Sequence, residues 1–297
     1  MSSSPIHEGI GTVRTRSGEE LAEALEVALR LVEARGTRIS PQSRLRAYLP
    51  LLLSRGTEMI ERVSHAHHEA DEIVTAVEQL ARPPEVAGWN QMFRDIQCGP
   101  TIAPLHHDKA REKQTELLMG ALMRSTGAVV TFGDPDAKAV VKGHALSFAA
   151  KRPSSASNLQ KNVRDGRNQL SKAGGVGVLF MDITSLVPEL ARAHTSPSVE
   201  HAVQAFDRIL DSTIQRVVGP VVRWMGAEPG RARSVAAIVS LLSLRFVVPS
   251  IGTERTHFGT LRRIHANAVT SSLVPKWLFD FILRFNRVGV DPEAADL

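Results

Sequence analysis

Cysteine is nearly absent: the 297 residues contain one, Cys98. A lone cysteine excludes an internal disulfide framework and any multi-cysteine zinc site, which suits a reducing cytoplasm. Aromatics are scarce as well, at 5% with a single tyrosine, Tyr48. No apolar run reaches membrane-spanning length, and the start, Met1-Ser2-Ser3-Ser4-Pro5, carries no basic segment followed by an apolar one, so a signal peptide is not expected. Also missing are a Walker-type phosphate loop, a Gly-x-Ser-x-Gly elbow and a repeat of fixed period. Gly174-Gly175-Val176-Gly177 precedes a strand instead of opening a helix, which excludes a dinucleotide fingerprint.

What is present is an ordinary globular composition, 43% hydrophobic, with room for one large domain or two modest ones. The formal charge of +5 is small. Its distribution is not even. Lys138, Lys142, Lys151, Arg152, Lys161, Arg164, Arg167 and Lys172 fall in one window that holds a single acid, Asp165. Such a basic window is the electrostatic footprint of a polyanionic partner. The helix within it has no aromatic residue, so base stacking is not its expected mode.

Residues 17 to 80 read as helical throughout, opened by a capping arrangement at Ser17-Gly18-Glu19-Glu20. A second helix is expected from Ser40-Pro41, interrupted by Pro50, and a third from Thr57 to Leu80. In the third, His65 and Glu69 share a face, as do His68 and Glu72; a solvated polar surface is the expected role. Residues 81 to 104, rich in Pro and Gly, read as a connection with a short helix near Asn90 to Ile96. His106-His107-Asp108 reads as the entry to the next helix.

That helix, about Lys109 to Arg124, carries Leu117, Leu118, Ala121 and Leu122 on an apolar stripe with Glu116 beside it. A strand over Ala128 to Gly133 follows, broken by Asp134-Pro135-Asp136. Ala139-Val140-Val141 then turns at Lys142-Gly143 into His144 to Ala150, which ends at Lys151-Arg152-Pro153. A helix starts near Ser157-Asn158 and stops at Gly174-Gly175, before the apolar strand Val176 to Met181. Beyond it, Ser198 to Val218 reads as a helix that Gly219-Pro220 ends or kinks. Val235 to Val248 fits either a buried helix or a strand, with Phe246-Val247-Val248 favouring a strand at its end. Arg262, Arg263 and His265 form a lesser basic cluster. A last helix with Trp277, Phe279, Phe281 and Phe285 suits core packing or a protein interface, before a frayed acidic tail.

A helix with an embedded Glu, a strand, a Pro-Asp pair, two strands ending in x-x-Lys, and a basic helix with Gln together resemble the restriction-endonuclease-like PD-(D/E)xK nuclease superfamily. The resemblance covers about Lys109 to Met181. It implies an α/β fold with a mixed sheet flanked by helices, here behind an N-terminal all-α domain, with residues 1–104 as helical domain and linker and 105–297 as the nuclease-like domain. It further implies that Asp136 of Pro135-Asp136 binds a divalent cation, Mg²⁺ or Mn²⁺, that Glu116 assists by ligation or through water, that Lys151 orients the attacking water, and that Gln169 supports the site. Arg152, Lys161, Arg164 and Arg167 are the candidates for holding a nucleic-acid backbone, DNA rather than RNA. A cation of this kind neutralises charge on the phosphoryl oxygens and acidifies a bound water.

One position departs from the pattern. The acid two residues before Lys151 is replaced by Ala149, which cannot ligate metal. An introduced Glu-to-Ala or Asp-to-Ala change, a natural loss of activity, and an acid moved to Asp134 or Glu116 are all compatible with this. The functional expectation is a metal-dependent DNA nuclease of the kind used in bacterial defence or as a toxin, inactive in this chain. Two rivals stand beside it: a non-catalytic nucleic-acid-binding module, and a protein-interaction subunit that associates with a partner or with itself through its helical regions.

Overall fold

The computed structural model describes residues 12–54, 60–101, 108–226, 235–249, 256–269, 276–278 and 280–281. An eight-stranded mixed sheet divides two helical layers. Its strands are β1 (Thr12–Thr15), β2 (Val129–Phe132), β3 (Ala137–Val141), β4 (His144–Lys151), β5 (Val176–Asp182), β6 (His194–Thr195), β7 (Val235–Pro249) and β8 (Thr256–Ala268). They run in the order β1-β8-β7-β5-β4-β3-β2, with β6 beside the far end of β7. β4, β5 and β7 are parallel neighbours; the β2–β3–β4 meander and the β7–β8 ribbon are antiparallel. The protein is thus mixed α/β.

The β3–β4 hairpin forms where the sequence pattern places it. Lys142 and Gly143 both take positive φ, 50° and 80°, the conformation that a two-residue hairpin loop needs to match strand twist. The ambiguous apolar run is a strand along its whole length. β7 lies inside the sheet, and its side chains alternate into both helical layers: Ala237, Val239 and Leu241 into one, Ile238, Leu242 and Leu244 into the other.

Against one face pack α1 (Gly18–Ala34), α2 (Arg44–Leu52), α3 (Ile60–Leu80), α4 (Trp89–Asp95) and α5 (Lys109–Ser125). Against the other pack α6 (Ala156–Ala173), α7 (Val199–Thr213) and α8 (Gly219–Gly226). The capping box is present, with the Ser17 hydroxyl accepting from the Glu20 amide and the Glu20 carboxylate accepting from the Ser17 amide. Other boundaries shift. α2 starts after Ser43, past Pro41, and accommodates Pro50 in its last turn. α6 starts at Ala156 after Ser155. A π-turn over Ile214–Val218 leads into α8, so Gly219-Pro220 begins a helical segment.

Elements on the two sides of the expected 104/105 boundary do not pack as separate bodies. β1 pairs with β8, and Leu21, Leu25 and Ile73 belong to the same core as Phe148 and Phe180. Nor is the histidine-rich stretch a solvated face: His65, His67, His68, Glu69, Asp71 and Glu72 are all buried, because α3 is covered by α1, α2, α5 and the β7–β8 ribbon. The pairing along the helix is as the spacing implies, with His65 Nε2 3.7 Å from Glu69 and His68 Nε2 3.4 Å from Glu72. His106, His107, Phe279 and Phe285 lie outside the residues whose side chains are described.

Buried charges need partners, since desolvation otherwise costs several kcal/mol per ion. Glu69, wholly inaccessible, lies 3.1 Å from Arg44 Nη1 and 3.1 Å from Arg111 Nε. Burial pushes its carboxyl up, but its cationic surroundings outweigh this and hold it well below the usual range. His65 is itself pushed down to about 4 by burial, so the two guanidiniums carry the effect. Arg44 also donates to the Ile96 carbonyl and to Gln114, which in turn donates to Glu72 at 2.6 Å.

Glu69→Ala strands two guanidiniums in the interior, and the expected loss of stability is about 3–5 kcal/mol by urea denaturation. A loss below about 1 kcal/mol, the range of exposed pairs, would show that water reaches the cluster.

Candidate phosphodiester-binding site

Asp136 is the residue before β3, and its carboxylate is the meeting point of three elements. Oδ2 accepts the backbone N–H of Ala150 on β4 at 2.8 Å and faces Lys151 Nζ at 3.3 Å. Oδ1 accepts from Gln169 Nε2 of α6 at 3.4 Å. Three of the residues singled out in the sequence are therefore brought together within hydrogen-bond reach.

Close approach of α6 makes this reach available. A Cβ at Gly166 would stand 2.5 Å from Leu179 Cδ1 and 3.5 Å from Lys151 Cγ, so only glycine lets the helix settle on β4 and β5 at this point. Lys151 leaves β4 on the α6 side of the sheet, and Gln169, about one turn beyond Gly166, is carried to the same edge.

Glu116 approaches from α5 and is also buried. Lys113, one turn earlier, donates to its Oε2 at 2.7 Å. Burial raises the Glu116 carboxyl to about 7, and the charge of Asp136 pushes the same way; Lys113 and Lys151 oppose both. α5 packs against β3 and β4, and Glu116 feels the charge of Asp136 across the cleft between these elements. Lys113 was missed in the sequence, although its i, i+3 spacing to Glu116 is a local signal for such a pair.

Position 149 is filled by a methyl group. Ala149 is fully buried and packs with Leu159, Val163, Leu170 and Leu179 in the layer beneath α6. Mg²⁺ takes hard oxygen ligands in near-octahedral geometry. Here two carboxylates face the cleft, each already holds an ammonium group, and among the described residues no three His, Cys, Asp or Glu side chains gather into a metal-binding group. The residues present do not fit a tightly held divalent cation. Asp134 is exposed and has not taken over the missing acid's place.

The basic residues divide. Lys161 and Arg164 are exposed on α6, and Lys138 is exposed on β3. Arg167 is buried. Arg152 departs most from expectation. It turns to the opposite side of the sheet, where its Nε lies 3.2 Å from Asp182, with 17% of its side chain exposed. Burial works against its charge, but Asp182, Glu69 and Glu72 raise its affinity for the proton above the ordinary arginine value. Arg152 is thus committed to an ion pair on the α3 side of the sheet, away from Lys161 and Arg164. Arg262 and His265 of the lesser basic cluster are buried in β8, with Arg262 Nη1 2.5 Å from Asp71.

Comparison with known proteins finds no matching family model, no matching curated protein and no matching solved structure.

The raised Glu116 carboxyl has a signed consequence. The folded form keeps its proton up to about 7, whereas the ordinary value is 4.5. Between those values the folded state binds more protons than the unfolded state, so this group's contribution to stability falls as pH rises across the window. Glu116→Gln, which stays neutral, is expected to be more stable than the wild type by about 1–3 kcal/mol near pH 8 and to show no gain near pH 4. Urea midpoints at the two pH values check this; an equal effect at both would remove the carboxyl's charge as its cause.

Proposed function

We propose that the protein is a restriction-endonuclease-like nucleic-acid-binding protein whose hydrolytic centre is disabled at position 149. The observation that carries this reading is the convergence of Asp136, Lys151 and Gln169, with Glu116 facing the same cleft. These residues come from the loop before β3, the end of β4, α6 and α5, and nothing in local sequence obliges them to meet. A phosphodiester fits the cleft's chemistry. Ammonium groups at its mouth attract phosphoryl oxygens, and Lys161 and Arg164 extend positive charge along the exposed face of α6. By resemblance the nucleic acid is DNA, and the ancestral reaction is hydrolysis assisted by Mg²⁺ or Mn²⁺.

Ala149 favours the non-catalytic form of this reading over an active nuclease. An alanine in a closed apolar layer removes a ligand without disturbing the fold. The fold and the basic surface survive, and binding outlasts chemistry.

Fluorescence anisotropy with a short DNA duplex across a salt series tests the reading. Binding is expected at low salt, weakening as salt rises because counterions compete for the phosphates. The double variant Lys161→Glu/Arg164→Glu is expected to bind more weakly and to lower the slope of log affinity against log salt by about 2, close to one per cation removed. With Mg²⁺ the wild type leaves the duplex intact, and Ala149→Glu, checked for folding by circular dichroism, gains nicking. No binding at low salt overturns the proposal.

A further inference from the structure

We propose that the ammonium groups of Lys113 and Lys151 together take the place of a divalent cation, so that the cleft engages a phosphodiester without metal. This rests on the reading of the cleft as a phosphodiester site and adds how its charge is balanced.

The geometry carries the argument. Two carboxylates face the cleft, and each holds one ammonium: Lys113 Nζ lies 2.7 Å from Glu116 Oε2, and Lys151 Nζ lies 3.3 Å from Asp136 Oδ2. Each carboxyl group already receives an ammonium, so an added divalent ion would find neither acid without a partner. Ligand capacity is short as well. Asp136 already receives Ala150 N–H and Lys151 on one oxygen and Gln169 on the other. The position that would complete a three-carboxylate cage is the Ala149 methyl, sealed under α6.

Neither ammonium is closed off. The Lys113 side chain is 38% exposed and that of Lys151 is 16% exposed, so each retains N–H groups able to turn toward an incoming oxyanion. A lysine is a compact point charge that suits a non-bridging phosphate oxygen. Hydrolysis is a different requirement, because an ammonium does not acidify a bound water as a divalent metal does. The arrangement binds the ester without activating its nucleophile.

Two measurements on the intact protein decide the matter. In the first, without nucleic acid, the electron paramagnetic resonance signal of free aqueous Mn²⁺ reports binding. The wild type is expected to leave the signal unchanged, and Lys113→Met/Ala149→Glu, which frees Glu116 and supplies the third acid, to bind Mn²⁺ at least about tenfold more tightly. A wild type that binds Mn²⁺ as well as this variant overturns the inference. If the double variant fails to fold by circular dichroism, Lys113→Met alone serves, with the same direction expected. In the second, duplex affinity is compared in EDTA and in Mg²⁺. Equal affinity in the wild type and about a tenfold loss in Lys113→Met in EDTA are expected. Binding that requires Mg²⁺ overturns the inference and leaves the phosphodiester site standing. Absence of binding in both conditions overturns the phosphodiester reading itself.

Discussion

The ion pair between Arg152 and Asp182 decides which way the end of β4 faces. Side chains alternate across a strand. Once Arg152 is drawn to the α3 side by Asp182 at the end of β5, Lys151 is committed to the α6 side, where Asp136 and Gln169 wait. Asp182 is held in turn. It caps the Thr184 backbone at 3.1 Å and adds to the charges that stabilise Arg262, which is anchored on Asp71 of α3. The chain of pairs from α3 to the strand ends is therefore what orients the cleft, although none of its members lines it.

Such a network is an expensive way to build an interior. Apolar residues of similar volume often stabilise a core as well or better than paired ions. What the ions add is register. Arg44 and Arg111 bracket Glu69 from α2 and α5, Arg262 meets Asp71 from β8, and at the surface Arg245 of β7 lies 3.5 Å from the exposed Glu61. Each pair is satisfied at one axial and rotational setting of α3, whereas an alanine and valine surface tolerates several. A buried carboxyl that remains uneasy in this setting is Glu72, raised to about 7 by burial against the pull of Arg262 and Arg152. Both this acid and Glu116 sit where desolvation outweighs their cationic neighbours, one inside the network and one at the cleft.

The meander and its flanking helices were legible in the sequence because their signals are local. Lys142-Gly143 dictates the hairpin turn, Gly174 stops α6, and the apolar stripe of α5 selects the face that covers the sheet. Asp136 and Lys151 stood out because they border strands, whereas Glu116 and Gln169, inside their helices, were named only through the resemblance. The α3 network was not, since the partners that bury its acids come from positions 25, 42 and 191 residues away. A helix with histidines and acids on every side looks solvated until those arginines are placed. Arg152 departs from the expected basic patch for a related reason. Lys151 and Arg152 are neighbours in sequence, but strand alternation sends them to opposite faces. β1, four residues long and without a clear pattern, takes its identity only from pairing with β8.

The same electrostatics explain why alanine is tolerated at position 149. A carboxylate at position 149 would have to leave water where Ala149 now packs under α6, and without a cation beside it desolvation would favour its protonated form. The methyl of Ala149 avoids that cost and lets β4 pack with Leu179 and α6. The remaining two acids are each matched by a lysine that the fold already supplies, one from the strand end and one from the preceding turn of α5. Asp136 and Glu116 are each paired by a lysine of the fold itself, and the proposed metal-free engagement of a phosphodiester depends on that pairing.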